Sequence, residues 1–269
     1  MRTVVHLSDL HFGRVDAGLV HPLIKTIAEI NPDLVAVSGD LTQRARSHQF
    51  LEARTFLDAL PKPQIVVPGN HDVPLHNVFA RFLEPLNRYK RYITDNLQPV
   101  YSDEEIVVVG VNTARSLTFK GGRINQLQVA RLRQKLGALG DNVVKVVVTH
   151  HPFDLPEGYH DRDLVGRARM AMTGLADCGA DLFLAGHLHI GHTGHTAKRY
   201  KIQGHSALVI QAGTATSTRG RGEANSFNVI RIVRPDTTVE RFSWNPASAS
   251  FVVSSVEQFN HTSDGWVRT

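Results

Sequence analysis

Residues 3–13 read Thr-Val-Val-His-Leu-Ser-Asp-Leu-His-Phe-Gly, and they set a pattern that recurs along the chain. The β-branched and apolar run at residues 3–7 predicts a buried strand, because such side chains pack well on a pleated sheet. Asp9 and His11 follow directly after this run. An apolar strand that ends in two polar side chains places them at the edge of a sheet, where ligands bind in α/β proteins.

Further apolar runs end in the same way. The polar residues that follow them are Asp40, then Asn70 and His71, then His150 and His151, and finally His187 and His189. In an open α/β sheet the carboxyl ends of the strands line one crevice, so side chains that are distant in sequence converge there. The sequence therefore predicts a polar site that is assembled from several strand ends.

Short β-branched runs alternate with amphipathic stretches, which indicates an α/β fold. We predict strands at residues 3–7, 34–38, 64–67, 106–111, 143–149 and 181–185, and helices at residues 19–30, 47–60, 125–136 and 162–178. After Gly186, strands at residues 207–212, 227–233, 238–244 and 250–253 without long helices favour antiparallel pairing. Residues 73–96 predict a helical excursion beside Asn70 and His71.

Composition narrows the class of protein. The 269 residues contain one cysteine, which excludes an internal disulfide and a cysteine zinc cage, so a packed core must hold the fold. No repeat or linker is visible, and we predict one domain over residues 1–269, with the metal motifs in 4–190 and antiparallel strands in 205–255. The formal net charge is +5, but the basic residues are dispersed, which argues against a nucleic-acid surface.

The N-terminal residues lack an apolar stretch long enough for a signal peptide. No apolar run elsewhere reaches the length that spans a membrane. We therefore expect a cytoplasmic protein without membrane contact.

The converging residues form a ligand set of mixed chemistry. After His71 is set aside, the candidate metal ligands are Asp9, His11, Asp40, Asn70, His150, His187 and His189. Oxygen and imidazole ligands without thiolate suit manganese, iron, cobalt or zinc better than calcium. The set is larger than one ion requires, so we predict two divalent ions roughly 3.5–4 Å apart, bridged by one carboxylate and a hydroxide.

The motifs Asp9-x-His11, Gly39-Asp40, Gly69-Asn70-His71-Asp72, His150 and Gly186-His187-x-His189 resemble, in order and approximate spacing, those of the calcineurin-like metallophosphoesterases. The resemblance implies a four-layer sandwich of two mixed β-sheets flanked by helices. It implies that one ion binds Asp9, His11 and His189, that the other binds Asn70, His150 and His187, and that Asp40 bridges both. It also implies a homodimer.

His71 follows a predicted ligand and is not itself assigned to a metal, so we predict that it protonates the leaving group as a general acid. Asp72 either orients His71 or stabilises the turn. We expect substrate contacts from Asn70, His71 and His151. His6 is also a candidate for support of the metal ligands from behind, and His151 contacts either substrate or solvent.

Residues 213–228 are rich in hydroxyl and glycine residues. Their hydroxyls, with Arg219 or Arg221, are suited to bind phosphate or to cover the pocket. Alternatively they form a loop between strands, in which Gly220, Gly222 and Asn225 make turns. For any single residue the loop interpretation is favoured.

The substrate is argued by comparison of branches within the resemblance. Protein serine/threonine phosphatases carry Asp-Arg-Gly after the bridging aspartate, whereas residues 40–45 read Asp-Leu-Thr-Gln-Arg-Ala, and lipid A precursor hydrolases have arginine in place of His71. The chain most resembles class III cyclic-nucleotide phosphodiesterases and glycerophosphodiesterase-like relatives. We predict a phosphodiesterase of small diesters, with cyclic AMP the best single substrate. The alternatives are a metal-dependent nuclease, a glycerophosphodiesterase and a non-catalytic scaffold.

Overall fold

The computed structural model describes residues 1–75, 78–118, 120–202, 205–220, 222–262 and 265–269. In chain order its strands are β1 (Arg2–Leu7), β2 (Leu34–Val37), β3 (Gln64–Val66), β4 (Val100–Ser102), β5 (Ile106–Gly110), β6 (Val144–Val148), β7 (Leu182–Ala185), β8 (His192–His195), β9 (Leu208–Gln211), β10 (Ser226–Val233), β11 (Asp236–Asn245), β12 (Ser250–Thr262) and β13 (Gly265–Arg268). Its helices are α1 (Ala17–Ile30), α2 (Ser47–Ala59), α3 (Val78–Leu83), α4 (Asn87–Tyr92), α5 (Gln126–Gly137), α6 (Ala168–Ala176) and α7 (Ala197–Tyr200).

Two mixed sheets form the centre of the molecule. The first has the order β13-β12-β11-β10-β1-β2-β3 and the second β4-β5-β6-β7-β9-β8. Strands β1, β2 and β3 are parallel, and so are β5, β6, β7 and β9, while the remaining pairs are antiparallel. The carboxyl ends of the parallel strands carry the predicted ligands, so both sheets contribute to one site.

Side chains alternate between two sides of each sheet, and this alternation separates the core into layers. On β1, Val4 packs between the two sheets and Val5 packs against the helices. Helices α1, α2 and α4 cover the first sheet, and α5 and α6 cover the second. The predicted four-layer sandwich of two mixed sheets flanked by helices is confirmed.

Helix α1 shows how the sequence determines one of these layers. Leu19, Leu23 and Ile27 recur every four residues and are buried against the sheet. The Asp16 side chain accepts a hydrogen bond from the Gly18 amide at the start, and Asn31 ends the helix in a left-handed conformation. None of the helices in the described ranges is both long and apolar enough to cross a lipid bilayer.

The predicted helix at residues 162–178 is shorter in the structure. Only Ala168–Ala176 is α-helical, and a 3-10 turn occupies Asp161–Asp163. Arg167 adopts a left-handed φ of 68°, which the interior of an α-helix does not allow. Gly166 forms a bridge with Arg123, and this bridge draws the preceding segment away from helical geometry.

The segment after Gly186 differs from the expectation in two respects. Strand β9 pairs in parallel with β7 instead of only antiparallel with its neighbours, and β8 and α7 were not expected from the sequence. Strands β10 to β13 are antiparallel but continue to Arg268, well beyond the expected end of the strand region. The helical excursion appears as α3 and α4, although residues 76–77 lie outside the described ranges.

A buried carboxyl group lies at the opposite end of the second sheet from the predicted ligands. Asp181 precedes β7, and its Oδ2 accepts a hydrogen bond from the Lys145 amide at 2.8 Å. Its Oδ1 lies 3.7 Å from His261 Nε2 and 4.0 Å from Arg234 Nη1. Burial raises the pKa of Asp181 to about 6, although the Lys145 amide and Arg234 oppose this shift.

The raised pKa means that folded Asp181 binds its proton more tightly than the unfolded chain does. The free energy of unfolding therefore falls as pH rises from about 4 to about 6. Asp181→Asn removes this loss, so it should exceed the wild type by about 2–3 kcal/mol near pH 8 and differ little near pH 4. Urea unfolding at both pH values measures this. The control is Asp95→Asn, which removes a carboxylate at an exposed position; a difference for Asp181→Asn that is independent of pH would contradict the account.

Candidate metal centre

Most of the predicted metal ligands have a left-handed backbone conformation, which residues other than glycine rarely adopt. The left-handed φ values are 53° for Asp9, 52° for His11, 51° for Asp40, 74° for His187 and 61° for His189. This conformation costs a residue with a side chain roughly 1–2 kcal/mol. Such strain persists where the surrounding structure holds it in place, and it is concentrated at functional sites.

Close contacts between the turns that follow the strands hold the backbone. The Asp9 amide donates to the Gly39 carbonyl at 3.1 Å, and the His11 amide donates to the Asp40 carbonyl at 2.9 Å. A Cβ atom at Gly186 would overlap the Ser8 hydroxyl. The turns after β1, β2 and β7 therefore pack too tightly for a side chain at position 186.

A hydroxyl-rich segment completes the support of the first turn. The buried Thr214 donates its hydroxyl to the Asp9 carbonyl at 2.7 Å, and Thr216 donates to the Leu10 carbonyl at 2.9 Å. Ser217 donates to the Arg14 carbonyl at 3.3 Å. These hydroxyls hold the protein backbone, and this favours a supporting role for them over contact with phosphate.

The first group of donor atoms comes from Asp9, His11 and His189. The Nε2 atoms of His11 and His189 are 3.2 Å apart. Asp9 Oδ1 lies 3.3 Å from His189 Nε2 and 3.6 Å from His11 Nε2. This oxygen is buried and has no hydrogen-bond donor among the described residues. Three ligand atoms thus face one small volume.

The second group comes from His150, Asn70 and His187. His150 Nε2 lies 3.1 Å from Asn70 Oδ1, and the rings of His150 and His187 are 5.2 Å apart. His150 Nδ1 faces the Ser38 carbonyl at 2.8 Å. Because a carbonyl only accepts, Nδ1 carries a proton, and Nε2 is the atom that a metal ion would bind after displacing its proton.

Asp40 lies between the two groups. Its Oδ1 is 3.4 Å from His150 Nε2, and its Oδ2 is 3.7 Å from His11 Nε2. Oδ1 also accepts a hydrogen bond from the His71 amide at 2.8 Å. One carboxylate therefore contacts both groups, one oxygen to each, as a bridging ligand requires.

Asp40 and the histidines of the site shift one another's ionisation. Although burial opposes ionisation of Asp40, His150 lowers the pKa of this carboxyl well below its usual range. Asp40 in turn raises the pKa of His150 to about 9 against the effect of burial. Burial lowers the pKa of His187 to about 3, so this imidazole is neutral, the form that binds metals.

The distances between donor atoms fit metal coordination. Metal ions bind nitrogen and oxygen at roughly 2.0–2.2 Å, which places neighbouring ligands roughly 3.0–3.6 Å apart. The distances from His150 Nε2 to Asn70 Oδ1 and from His189 Nε2 to Asp9 Oδ1 are 3.1 and 3.3 Å. The described residues therefore fit two divalent ions, and the nitrogen and oxygen set suits manganese, iron, cobalt or zinc.

His71 lies at the partly exposed side of the site. Its Nδ1 faces the Gln43 carbonyl at 2.9 Å, and Arg219 Nη1 lies 3.0 Å from its Nε2. The carbonyl accepts and the guanidinium donates, so the proton is on Nδ1 and the lone pair is on Nε2. Burial lowers the pKa of His71, although Asp40 opposes this. Sequence patterns did not indicate the contact with Arg219, because nothing local fixes the direction of a loop side chain.

Asp72 stabilises turns and has no contact with the His71 ring among the described hydrogen bonds. Its Oδ1 accepts from the Thr42 amide at 2.9 Å. Its Oδ2 accepts from the amides of Leu41 at 3.1 Å and Gly69 at 2.9 Å. Of the two interpretations of Asp72, the structure favours the turn.

His6, the candidate for support of the ligands, and His151 are both buried. His6 Nε2 is 2.9 Å from the Ser38 hydroxyl, and burial lowers the pKa of His6 to about 3. His151 Nδ1 is 2.8 Å from the Thr113 hydroxyl, and its Nε2 is 3.1 Å from the Lys120 carbonyl. A substrate contact from His151 would have to displace one of these partners, so the substrate role of His151 stays a prediction.

A sequence profile of the calcineurin-like phosphoesterases matches residues 2–191. The chain belongs to this family. The matched range includes all the predicted ligands and His71, but it ends before the segment that carries Thr214 and Arg219. Arg221, which the sequence also suggested for phosphate, lies outside the described residues.

Relatives of this calcineurin-like phosphoesterase include named enzymes. The chain is 27% identical over 171 residues to the glycerophosphodiester phosphodiesterase GpdQ of Enterobacter lignolyticus (strain SCF1), an alignment that covers 59% of this chain and 60% of that protein. It is 24% identical over 225 residues to a probable cyclic nucleotide phosphodiesterase of Synechococcus sp., with coverage of 80% and 77%. The structure of a dimetal phosphatase from Danio rerio has a TM-score of 0.65 at 15% identity, with coverage of 89% and 95%.

Replacement of a supporting hydroxyl should weaken the first ligand turn of this phosphoesterase. Thr214→Val removes the donor to the Asp9 carbonyl without a change of shape, and we expect a loss of about 1–2 kcal/mol in unfolding free energy. Affinity for manganese should fall with it. Urea unfolding and a manganese titration measure both effects. The control is Thr55→Val in α2, which removes an exposed hydroxyl that donates to the Leu51 carbonyl at 3.1 Å; equal losses of manganese affinity in the two variants would count against the supporting role.

Proposed function

We propose that this calcineurin-like phosphoesterase hydrolyses small phosphodiesters with two divalent metal ions, and that cyclic AMP is its best substrate. The observation that carries the proposal is the position of Asp40, whose two carboxylate oxygens face the two groups of ligand atoms. A carboxylate shared between two nitrogen-rich groups is the arrangement that dinuclear hydrolases need.

The residues would divide between the ions as follows. Asp9, His11 and His189 hold one ion, Asn70, His150 and His187 hold the other, and Asp40 contacts both. When bound, the two ions would act as Lewis acids and would lower the pKa of a water molecule bound to them toward neutrality. Manganese and iron are the preferred ions, with zinc and cobalt as alternatives.

The site has one side through which a substrate can enter. Asp9, His11, Asp40, His150 and His189 are buried, whereas Asn70, His71 and His187 are partly exposed. A phosphoryl group that approaches the ligand atoms therefore meets Asn70, His71 and His187 first. This placement supports the proposed role of Asn70 and His71 in substrate binding.

His71 is proposed as the general acid. Its ring lies edge-on to the ring of His11 with 4.9 Å between centroids, and its amide holds Asp40. Once Arg219 has left Nε2 and this atom has taken up a proton, the imidazolium would pass that proton to the leaving oxygen and return to the neutral form, which would assist departure of an alkoxide, a poor leaving group. Arg219 now faces this nitrogen, so substrate binding must separate the two side chains.

The substrate class is supported by relatives of two kinds, one named for glycerophosphodiesters and one for cyclic nucleotides. Hydrolysis of either kind of diester expels an alkoxide leaving group, so both reactions need an acid that protonates it. The chain spans 60% of the length of the glycerophosphodiesterase and 77% of the cyclic nucleotide enzyme, so these relatives support both substrate classes. A nuclease and a non-catalytic scaffold remain alternatives, and cytoplasmic location and a homodimer remain predictions.

A substrate panel tests the proposal. Protein loaded with manganese should hydrolyse bis(p-nitrophenyl) phosphate. In a panel of natural substrates it should show the highest kcat/KM for cyclic AMP. The panel also contains cyclic GMP, 2′,3′-cyclic nucleotides, glycerophosphodiesters and single-stranded DNA. Asp40→Asn should lose bound metal and at least about 100-fold in turnover, since the shared ligand is weakened.

The alternatives give different results in the same panel. A higher kcat/KM for glycerophosphodiesters would favour a glycerophosphodiesterase, and a higher value for single-stranded DNA would favour a nuclease. Absence of hydrolysis with every divalent ion would favour a non-catalytic scaffold. Asp141→Asn, far from the ligands at the opposite end of the second sheet, is the matched control for Asp40→Asn.

Replacement of His71 should separate substrates by leaving group. His71→Gln should slow a diester with an alkoxide leaving group by about 10²–10⁴-fold, because the alkoxide needs the proton. Bis(p-nitrophenyl) phosphate should lose less than about tenfold, since nitrophenolate departs without help. Steady-state kinetics on both substrates measures this, with His195→Gln as the control. Equal losses on the two substrates would remove His71 from the acid role.

A further inference from the structure

Arg219 is a partly buried cation whose contacts are neutral. Its Nη1 lies 3.0 Å from His71 Nε2 and 3.5 Å from Gln43 Oε1. Within the described ranges, no carboxylate oxygen lies within 4.0 Å of its guanidinium. Burial lowers the pKa of Arg219, Asp40 opposes this, and Arg14 adds to it. A desolvated cation without an ionic partner is suited to bind an anion, because an ionic contact would offset the cost of its burial.

The carboxylates whose charge acts on Arg219 do not serve as its ionic partner. Asp40 and Asp9 are the acidic groups whose field reaches Arg219. Under the proposed function, on which this inference rests, both carboxylates face the metal ions. Their negative charge is then compensated by those ions, so the charge of Arg219 is left for an anion from outside the protein.

The backbone of Arg219 is fixed, and only its side chain is free to change partners. The Arg219 amide donates to the Ser217 hydroxyl at 3.1 Å, and the Arg219 carbonyl faces His189 Nδ1 at 3.2 Å. The Thr218 amide donates to the Arg14 carbonyl at 3.0 Å. The residue is therefore anchored to the ligand turn on one side and to a proposed ligand on the other.

This anchoring places the guanidinium at the opening of the first ligand group. The ring of His11 lies 5.0 Å from that of His189 and 4.9 Å from that of His71. Arg219 contacts His189 through its backbone and His71 through its side chain. Its side chain thus spans the same opening through which a phosphoryl group must pass to reach the ligands.

We propose that Arg219 binds an anionic phosphoryl oxygen of the substrate and exchanges its neutral contacts with His71 and Gln43 for that oxygen. A guanidinium forms charge-assisted hydrogen bonds with phosphate that are roughly twice as strong as neutral ones. The exchange turns Nε2 of His71 toward the substrate. Arg219 is in this sense a catalytic residue outside the family's matched range, which ends at residue 191.

A structural role alone does not account for the guanidinium. The segment is held without it, because the hydroxyls of Thr214 and Thr216 bind the first ligand turn and Asn225 Nδ2 donates to the Ser217 carbonyl at 2.9 Å. Removal of the Arg219 side chain beyond its stem should therefore leave the fold and the bound metal intact.

Arg219→Met and Arg219→Lys test the proposal in manganese-loaded protein. Calorimetric titration with inorganic phosphate should show Kd raised about 10–100-fold in Arg219→Met and raised less in Arg219→Lys, which keeps the charge but loses the planar fork. KM for bis(p-nitrophenyl) phosphate should rise in parallel. Metal content and Tm should stay at wild-type values.

The control is Arg14→Met, which removes an equal charge from an exposed neighbouring position and should change Kd for phosphate less than about threefold. Wild-type phosphate affinity in Arg219→Met would overturn the proposal, and so would loss of metal or of thermal stability in that variant. If the wild type hydrolyses no diester but its phosphate binding depends on Arg219, the proposed function fails and the anion site stands.

Discussion

The buried carboxylate of Asp40 contacts both groups of histidines, and the site is arranged around its charge. A buried negative charge is costly unless a cation or hydrogen-bond donors compensate it. His150 supplies part of this compensation, and the His71 amide supplies another part. An oxygen of Asp9 that has no hydrogen-bond donor among the described residues faces the same volume, and it adds to the negative potential there. Affinity for cations is thus a consequence of how the strand ends meet.

The position of that carboxylate depends on strained backbone, and the strain is held by residues from several parts of the chain. Asp40 and its neighbours in the site adopt left-handed turns that glycine would adopt without cost. Backbone contacts between turns and the hydroxyls of Thr214 and Thr216 compensate for this. A fold optimised only for stability would relax these turns, so their presence indicates that ligand direction has outweighed local stability.

The sequence predicts the parts of this structure that depend on local pattern. Buried parallel strands read as continuous apolar runs, and the polar residues after them mark one crevice, so Asp9, Asp40 and His150 are found together as expected. The predicted helix at 162–178 is wrong over its first part, where Gly166 forms a bridge with Arg123 and the adjacent Arg167 is left-handed. Arg219 could not be singled out, since its direction depends on His71 and on a loop anchored elsewhere. Hydroxyl residues in a loop suggest phosphate binding and backbone support equally until their partners are known.

The support of the first ligand turn by Thr214 also bears on how the molecule assembles. The bond from Thr214 to the Asp9 carbonyl joins residues 205 positions apart, and β1 pairs with β10 from the same late region. Contacts of such long range form slowly, because a large loop must close before they give any stability. During synthesis the first ligand turn leaves the ribosome early. Its hydrogen bond with Thr214 forms only after most of the chain has been made. The first ligand turn therefore reaches its final hydrogen bonding only when the region of Thr214 and β10 is in place.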